Sequence, residues 1–139
     1  MVVPKKNTKY AAGYDFYFPF DIELNPGEII KIPTGIKVIM NEDEFLGIYI
    51  RSSLGFKYNI RMCNQVGIID YDYYNNIDNE GHMFIKLKNE GENLVDLKKG
   101  DRFAQGIFQK YYIVDAEEEV TKERIGGLGS TDKGDDNNE

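Results

Sequence analysis

The apolar run FLGIYI at positions 45–50 is followed directly by the polar stretch RSSLG at positions 51–55. Aromatic and β-branched residues favour strands, so the first stretch predicts a buried β-strand. The second stretch begins with Arg51 and two serines, which places donor side chains at the end of that strand. This juxtaposition indicates a β-rich fold with functional residues at strand ends.

Period-two patterns of the same kind recur along the chain, and turn-forming residues separate them. No segment has a convincing 3.6-residue apolar stripe, so we expect no long helix. Short strands at regular spacing predict an all-β fold, which would be a sandwich, a jelly roll or a small barrel. The predicted strands are 28–33, 35–40, 45–50, 66–70, 83–88 and 103–112.

Composition limits the possible chemistry. A chain of 139 residues suits one domain with a single core. Its 17 Lys and Arg against 24 Asp and Glu give a net charge of −7, which argues against nucleic acid or an anionic membrane as a partner. One His and one Cys exclude an intrachain disulfide framework, a Cys/His zinc finger and an HExxH site. Catalysis is therefore expected to use carboxylates, hydroxyls, Arg, Lys or backbone amides.

The sequence also bears on location. It has no apolar run of transmembrane length, and its first residues lack the apolar core of a signal peptide. We therefore expect a soluble cytoplasmic protein in a reducing compartment, with no membrane contact.

The composition changes at Asp115. Residues 1–114 carry the strand patterns and form the predicted β domain, whereas residues 115–139 are acidic, then glycine-rich, then polar. We expect the second segment to be a flexible C-terminal arm, with the tail from about residue 132 disordered.

Two candidate clusters follow predicted strands. In RSSLG, the fork of donors on Arg51 and two adjacent hydroxyls suit an anion, and a surface ion pair is the alternative. Asp70 and Asp72 stand at i and i+2, on the same side of an extended chain, which suits a metal, a shared proton or the activation of water. The alternative is a hairpin in which both carboxylates bond turn amides.

Two further clusters lie nearer the C-terminus. In GDRFAQ (100–105), Arg102 and Gln105 could contact a ligand, although a capped hairpin explains them equally well. In RIGGLGST (124–131), glycines let the backbone wrap a phosphate while Arg, Ser and Thr supply donors. A flexible tail is the alternative, since no Walker lysine is present.

With AAGYDF at 11–16, these clusters give five motifs in order, and the set resembles the homotrimeric dUTP pyrophosphatases (dUTPases). The motifs here are AAGYDF, RSSLGFK, NQVGIIDYDY, GDRFAQGIF and RIGGLGSTD. The resemblance covers almost the whole chain and implies an all-β distorted jelly roll (β-clip), with active sites at the interfaces of a homotrimer. It implies cleavage of dUTP to dUMP and pyrophosphate, which keeps uracil out of DNA and supplies dUMP for dTMP synthesis.

The resemblance also implies roles for single residues. Asp70 would position and deprotonate the water that attacks the α-phosphorus, a task that needs no histidine. Tyr73 would lie against the deoxyribose and exclude a 2′-hydroxyl. Asn64 and the backbone around Gly67 and Ile68 would bind the uracil edge and reject thymine and cytosine.

The triphosphate contacts implied by the resemblance come from other motifs. Arg51, Ser52, Ser53 and Gln105 would hold phosphate oxygens. Mg²⁺ would bind the triphosphate mostly through water and phosphate oxygens, with Asp15 contacting its hydration shell.

The arm would close over the substrate. Arg124 would face the γ-phosphate, the Gly129 backbone would add an amide, and Ser130 and Thr131 would add hydroxyl donors. The family usually has Phe where Leu128 stands, so apolar cover of the uracil is kept but aromatic stacking is lost.

Two alternatives remain open. A dUTPase-fold regulatory protein that binds a partner protein is favoured by Leu128 in a shortened arm and opposed by the intact set of Arg51, Asp70 and Tyr73. The dCTP deaminases resemble this chain in the RSS and I-D segments, but they carry a Glu proton carrier where Lys86 is the best match.

Overall fold

The computed structural model describes residues 2–115, 120–121 and 123–128. Within these residues it contains nine β-strands, one α-helix and one 3₁₀ turn. In chain order they are β1 (Tyr14–Tyr17), β2 (Ile22–Leu24), β3 (Ile29–Pro33), β4 (Glu44–Ile50), α1 (Ser52–Tyr58), β5 (Ile60–Met62), β6 (Gly67–Ile69), the 3₁₀ turn (Tyr71–Tyr73), β7 (Phe84–Asn89), β8 (Val95–Leu97) and β9 (Arg102–Lys110).

The strands pair antiparallel in three sheets, and the all-β prediction is confirmed. The largest sheet has the order β1-β9-β4-β6, the second has the order β3-β7-β5, and β2 pairs with β8. At the centre of the largest sheet, β4 and β9 pair from Glu44 opposite Lys110 to Ile50 opposite Ala104. This ladder fixes the distance between the residues at its two ends.

Alternate side chains of the strands form the core. Ile32 on β3 lies opposite Ile85 on β7, and both are buried. The rings of Phe18 and Phe103 meet edge to face with their centroids 5.1 Å apart. Burial of these apolar surfaces drives folding, and it anchors β9 against the rest of the domain.

Residues 35–40 differ from the prediction. Their side chains alternate as expected, with Met40 buried, Ile36 and Val38 half-buried and the residues between them exposed. The backbone forms no ladder, since both edges of β7 are already paired with β3 and β5. The Ile36 carbonyl instead accepts one backbone hydrogen bond, from the Met83 N–H at 3.0 Å, and a longer one from the Thr34 hydroxyl at 3.5 Å. The period-two pattern therefore predicted burial correctly and strand pairing wrongly.

Helix α1 was not predicted either. It begins directly after β4 and ends at Asn59, whose φ of 54° lies in the left-handed region and whose N–H donates to Gly55 O at 3.2 Å. Only Leu54 of its seven residues is buried, so the helix has no apolar stripe for a sequence to reveal. Strands β1, β2, β5 and β8 were also missed, because three or four residues are too few for a clear alternation.

No helix in the part of the chain described here has the length and apolar character that a membrane crossing requires. The predicted disordered tail lies outside the described residues.

Asn89, at the end of β7, is fully buried and bridges three backbone groups. Its Nδ2 donates to Leu24 O and Asn93 O, each at 2.9 Å, and its Oδ1 accepts from Gly91 N at 2.9 Å. Replacing this amide leaves buried polar groups without a hydrogen-bond partner, and their loss of contact with water is then not compensated. The side chain is therefore a structural joint between β2, β7 and the following turn.

We predict that Asn89→Ala lowers the free energy of unfolding by about 3 kcal/mol. Asn93→Ala is the matched control, since Asn93 is exposed and bonds Asn89 through its backbone, and it should change stability by less than about 0.5 kcal/mol. Urea unfolding at one protein concentration measures both values. Equal stabilities for the two variants would contradict the structural role of the Asn89 side chain.

Candidate active site

The largest sheet carries motif residues at both ends, and a cleft lies at the end where β4 stops. The volume of this open cleft is about 720 Å³. Cations outnumber carboxylates on its walls, so it can attract an anion. The charged residues that line it are Lys5, Arg51, Lys57, Arg102, Asp96 and Asp101.

Arg51 is held at this cleft by the backbone. Its N–H donates to Phe103 O at 2.9 Å, which ties the end of β4 to β9. The chain then turns into α1, so that Ser52 and Ser53 occupy the first turn of the helix. Ser53 is half-buried and lines the cleft with Arg51, whereas Ser52 is exposed beside it. The structure thus brings Arg51 and Ser53 together at one cleft.

Asp15 and Gln105 come next to each other because β1 pairs with β9 in the register that sets them opposite. The Asp15 Oδ2 atom accepts a hydrogen bond from Asn7 Nδ2 and lies 3.6 Å from Arg102 Nη1. Gly13 makes room for Gln105, since a Cβ at Gly13 would lie 2.9 Å from Gln105 Oε1. The AAGYDF motif therefore supplies a carboxylate together with the space that its neighbour needs.

A second group of residues lies where β6 ends. Asp70 follows Ile69 directly and accepts a backbone hydrogen bond from Tyr73 N at 3.1 Å, which closes the 3₁₀ turn. The Asp70 and Asp72 carboxylates are both more than half exposed and converge on one guanidinium. Arg124 Nη1 lies 3.2 Å from Asp70 Oδ2 and 3.3 Å from Asp72 Oδ1. The predicted pair of carboxylates thus shares a cation from the arm.

Tyr73 is buried behind these carboxylates. Its hydroxyl donates to His82 O at 2.8 Å and accepts from Asn79 Nδ2 at 2.9 Å. Two partners of this kind hold the hydroxyl end of the ring in place. The Arg124 guanidinium lies over the ring, 5.1 Å from its centroid, which is a cation–π distance.

The arm segment that the structure describes, residues 123–128, therefore lies beside Asp70. The Arg124 side chain is only 11% exposed, and it also donates to Gly126 O at 2.8 Å and to Gly127 O at 3.2 Å. Leu128 is 53% exposed at the end of this segment. Gly129, Ser130 and Thr131 lie outside the described residues.

The residues predicted to read uracil lie on and just before β6. Gly67 is buried in the strand opposite Ile48, and Ile68 is 64% exposed. Asn64 is exposed in the turn that precedes them, where its carbonyl accepts from Val66 N at 2.7 Å.

The loop between Tyr74 and Gly81 contains Asn75-Asn76, which the sequence marks as a turn, but the extent of the loop and its contacts were not predicted. The Asn75 N–H donates to Glu80 O at 3.0 Å, so the ends of the loop meet, and Asn75 has the left-handed φ of 55°. Gly81, with a φ of 90°, then passes close to Tyr73 O and Asn75 N. The run of Asn and Asp residues in YYNNIDNEG is the signal that could have revealed the full extent of this loop, since such side chains bond their own turns.

The two groups are far apart within one chain. Asp70 directly follows Ile69, and Ile69 pairs with Leu46 of β4. Arg51 lies five residues after Leu46, just beyond the end of β4. Asp70 lies one residue further in the opposite direction, so at about 3.4 Å per residue the two functional ends are separated by roughly 20 Å. One chain therefore cannot bring Arg51 and Asp70 to the same phosphate ester.

Among the described residues, no three His, Cys, Asp or Glu side chains are grouped so as to enclose a metal ion. Mg²⁺ usually retains several waters and binds one or two carboxylates together with substrate phosphates. The half-buried Asp15 carboxylate beside the basic cleft fits that mode of binding, which requires no cage of protein ligands.

Comparison with known proteins gives one family. The family model for dUTPase matches residues 1–134. Deoxyuridine 5′-triphosphate nucleotidohydrolase of Lactococcus lactis subsp. lactis (strain IL1403) is 45% identical over 130 residues, which span 93% of this chain and 87% of that protein. The same-named protein of Desulfitobacterium hafniense (strain DSM 10664 / DCB-2) is 35% identical over 137 residues, which span 93% and 86%.

A solved structure agrees with the sequence comparison. The dUTPase from Streptococcus mutans superposes with a TM-score of 0.74 at 41% identity, over 82% of this chain and 89% of that one. The chain belongs to the dUTPase family, and the predicted family and jelly-roll fold are confirmed. These relatives favour neither the deaminase nor the purely regulatory alternative.

The contacts of Arg124 give a first prediction for the site. Asp72→Asn removes one of its two carboxylate partners, so an arginine-specific endoprotease should cleave after Arg124 about 3-fold faster, as expected for loss of a partly exposed ion pair. Arg124 is the only arginine after residue 115, so mass spectrometry identifies the product.

Asp43→Asn is the control, because its carboxylate lies 3.8 Å from Lys110 on a different, exposed pair. Cleavage after Arg124 at the wild-type rate in Asp72→Asn would contradict the ion pair.

Proposed function

We propose that this dUTPase hydrolyses dUTP to dUMP and pyrophosphate, as a dUTP diphosphatase, with Asp70 as its catalytic base. Membership of the family supports this reaction. The exposed Asp70 carboxylate at the end of β6 supports the assignment of Asp70 as the catalytic base. The activity would keep uracil out of DNA and supply dUMP for dTMP synthesis. A cytoplasmic setting suits its single free cysteine, Cys63.

The reaction needs one proton transfer and one displacement. Asp70 accepts a proton from water as the water oxygen bonds to the α-phosphorus, and the bond from this phosphorus to the bridging oxygen of the β-phosphate breaks. Pyrophosphate leaves with the electron pair of that bond. The 58% exposure of the Asp70 side chain supports this role, because water can reach the carboxylate.

Base and sugar would be recognised from the same end of the sheet. Tyr73 has its ring fixed by His82 O and Asn79, which suits the steric exclusion of a 2′-hydroxyl. The turn at Asn64 and the backbone of Gly67 and Ile68 would bind the uracil edge, and a site built for its donors and acceptors rejects cytosine.

The triphosphate would occupy the basic cleft. Arg51 and Ser53 line it, Ser52 lies beside it, and Gln105 would complete the contacts to phosphate oxygens. Asp15 would face the hydration shell of Mg²⁺. When bound, Mg²⁺ supplies positive charge that orients the phosphates and stabilises negative charge developing on the leaving group.

The arm would complete the site. Arg124 would exchange the Asp70 and Asp72 carboxylates for the γ-phosphate when substrate binds, and Leu128 would give apolar cover to the uracil. Gly129, Ser130 and Thr131 would add amide and hydroxyl donors. Residues 115–139 would thus act as one arm on the β domain of residues 1–114, and closure of the arm would exclude bulk water.

In a homotrimer with active sites between subunits, Arg51 of one subunit could lie close to Asp70 of another. The separation of roughly 20 Å between Arg51 and Asp70, at about 3.4 Å per residue, supports this proposal. In a closed ring, the cleft end of one subunit can face the Asp70 end of its neighbour.

We predict that Asp70→Asn lowers kcat for dUTP by about 10³-fold, because the amide cannot accept the proton of the attacking water. Binding of a non-hydrolysable dUTP analogue should change only a few-fold. Pyrophosphate release and calorimetric titration measure the two effects. Asp43→Asn is the control and should retain wild-type turnover, and unchanged turnover in Asp70→Asn would rule out this base.

Subunit sharing gives a separate prediction. Arg51→Ala and Asp70→Asn should each be almost inactive alone, but chains mixed one to one by refolding should regain up to about a quarter of wild-type activity, since that share of interfaces combines an intact Arg51 with an intact Asp70. Sedimentation would establish that the mixed assembly is a trimer. A mixture that stays inactive while forming trimers would contradict sharing.

A further inference from the structure

We propose that the loop of residues 75–80 is a docking site for the arm, in which Asn79 positions both Tyr73 and Gly127. The proposal rests on the proposed function for the roles of Tyr73 and the arm. It adds Asp78 and Asn79 as positioning residues, which act on the reaction through Tyr73 and the arm.

The Asn79 side chain is held in one orientation. Its Oδ1 accepts from Asn76 Nδ2 at 2.8 Å and from Gly81 N at 3.0 Å. Its Nδ2 is thereby turned toward Tyr73 and donates to the hydroxyl at 2.9 Å. Asn76 is itself buried and bonds Tyr73 O through its Nδ2 at 2.7 Å. The loop is therefore a rigid support behind the tyrosine ring.

The other side of Asn79 receives the arm. Gly127 is buried against it, and its N–H donates to Asp78 Oδ2 at 3.3 Å. A Cβ at Gly127 would lie 2.4 Å from Asn79 Nδ2 and 2.9 Å from Asn79 Cγ. Real Cβ atoms do not approach so closely, so this contact admits only glycine while Asn79 is in place.

These contacts link two parts of the site. Arg124 lies over the face of the Tyr73 ring, while Asn79 holds its hydroxyl and Gly127 packs on the same Asn79. Arm docking and the placement of Tyr73 therefore depend on one side chain. The arm would close best when the tyrosine is set to exclude a 2′-hydroxyl, so closure and sugar specificity are coupled.

A double-mutant cycle tests the contact. Gly127→Ala should lower kcat/KM for dUTP by about 30-fold, because the methyl group displaces the arm from Asn79. In an Asn79→Ala background the same change should cost less than about 3-fold, since the obstructing amide is gone. Equal losses in both backgrounds would overturn the proposal.

The preference for dUTP over UTP is a measurement that would stay unchanged if Asn79 had a purely structural role. Asn79→Ala removes the donor to the Tyr73 hydroxyl, so the ratio of kcat/KM for dUTP over UTP should fall by about 5-fold or more. Asp78→Ala removes only the acceptor for Gly127 N, so it should speed protease cleavage after Arg124 and leave that ratio unchanged. Ile77→Ala, at a side chain 83% exposed in the same loop, is the control and should change neither.

The two proposals fail in different ways. A wild-type chain that does not hydrolyse dUTP would refute the proposed function. The rate of protease cleavage after Arg124 would still measure docking of the arm, because that assay does not depend on turnover of dUTP. Should Asn79→Ala fail to fold, Asp78→Ala decides the matter. Cleavage of Asp78→Ala at the wild-type rate would overturn arm docking on this loop.

Discussion

The antiparallel ladder between β4 and β9 is the constraint on which the rest of the molecule depends. It is the longest pairing among the described strands, and β1 and β6 are added to its outer edges. Motif residues stand at both ends of this sheet, where the strands stop and side chains become accessible. Because the rise per residue of a strand is nearly constant, no change of rotamer can bring Arg51 to Asp70. The division of the candidate site is therefore built into the backbone.

The charges follow this division. A net charge of −7 would repel a triphosphate, yet Arg51 and Arg102 share one cleft at one end of the sheet. At the other end the acidic pair of Asp70 and Asp72 is balanced by Arg124 from the arm. A triphosphate held by the first group would present its α-phosphorus to the second group only across two chains. Local arrangement of charge, and not the total, thus fits the substrate.

Much of this arrangement could be predicted from the sequence. The five motifs gave the family, and the apolar runs gave β3, β4, β6, β7 and β9 to within two residues at every end. Segment 35–40 was predicted as a strand because its apolar and polar residues alternate. Such alternation indicates which side chains are buried, whereas hydrogen bonding into a sheet also requires a strand with an unpaired edge. The α1 helix was missed, since it buries a single residue. The loop at 75–80 was predicted only as a turn at Asn75-Asn76, since its further extent depends on side-chain amides that bond their own backbone.

The sequence by itself determined the chemistry, because residue types and their order within motifs limit which acids, bases and donors exist. One histidine and one cysteine left carboxylates, hydroxyls, Arg, Lys and backbone amides as the expected working groups, and Asp70, Tyr73 and Arg51 could be named as candidates from the motifs alone. Only the tertiary structure decided which of these groups meet. Arg124 and Asp70 are 54 residues apart in the chain and 3.2 Å apart in space, whereas Arg51 and Asp70 are closer in sequence and stand at opposite ends of the largest sheet. Proximity of this kind depends on strand register and loop closure, which arise from packing over the whole domain and have no local signature.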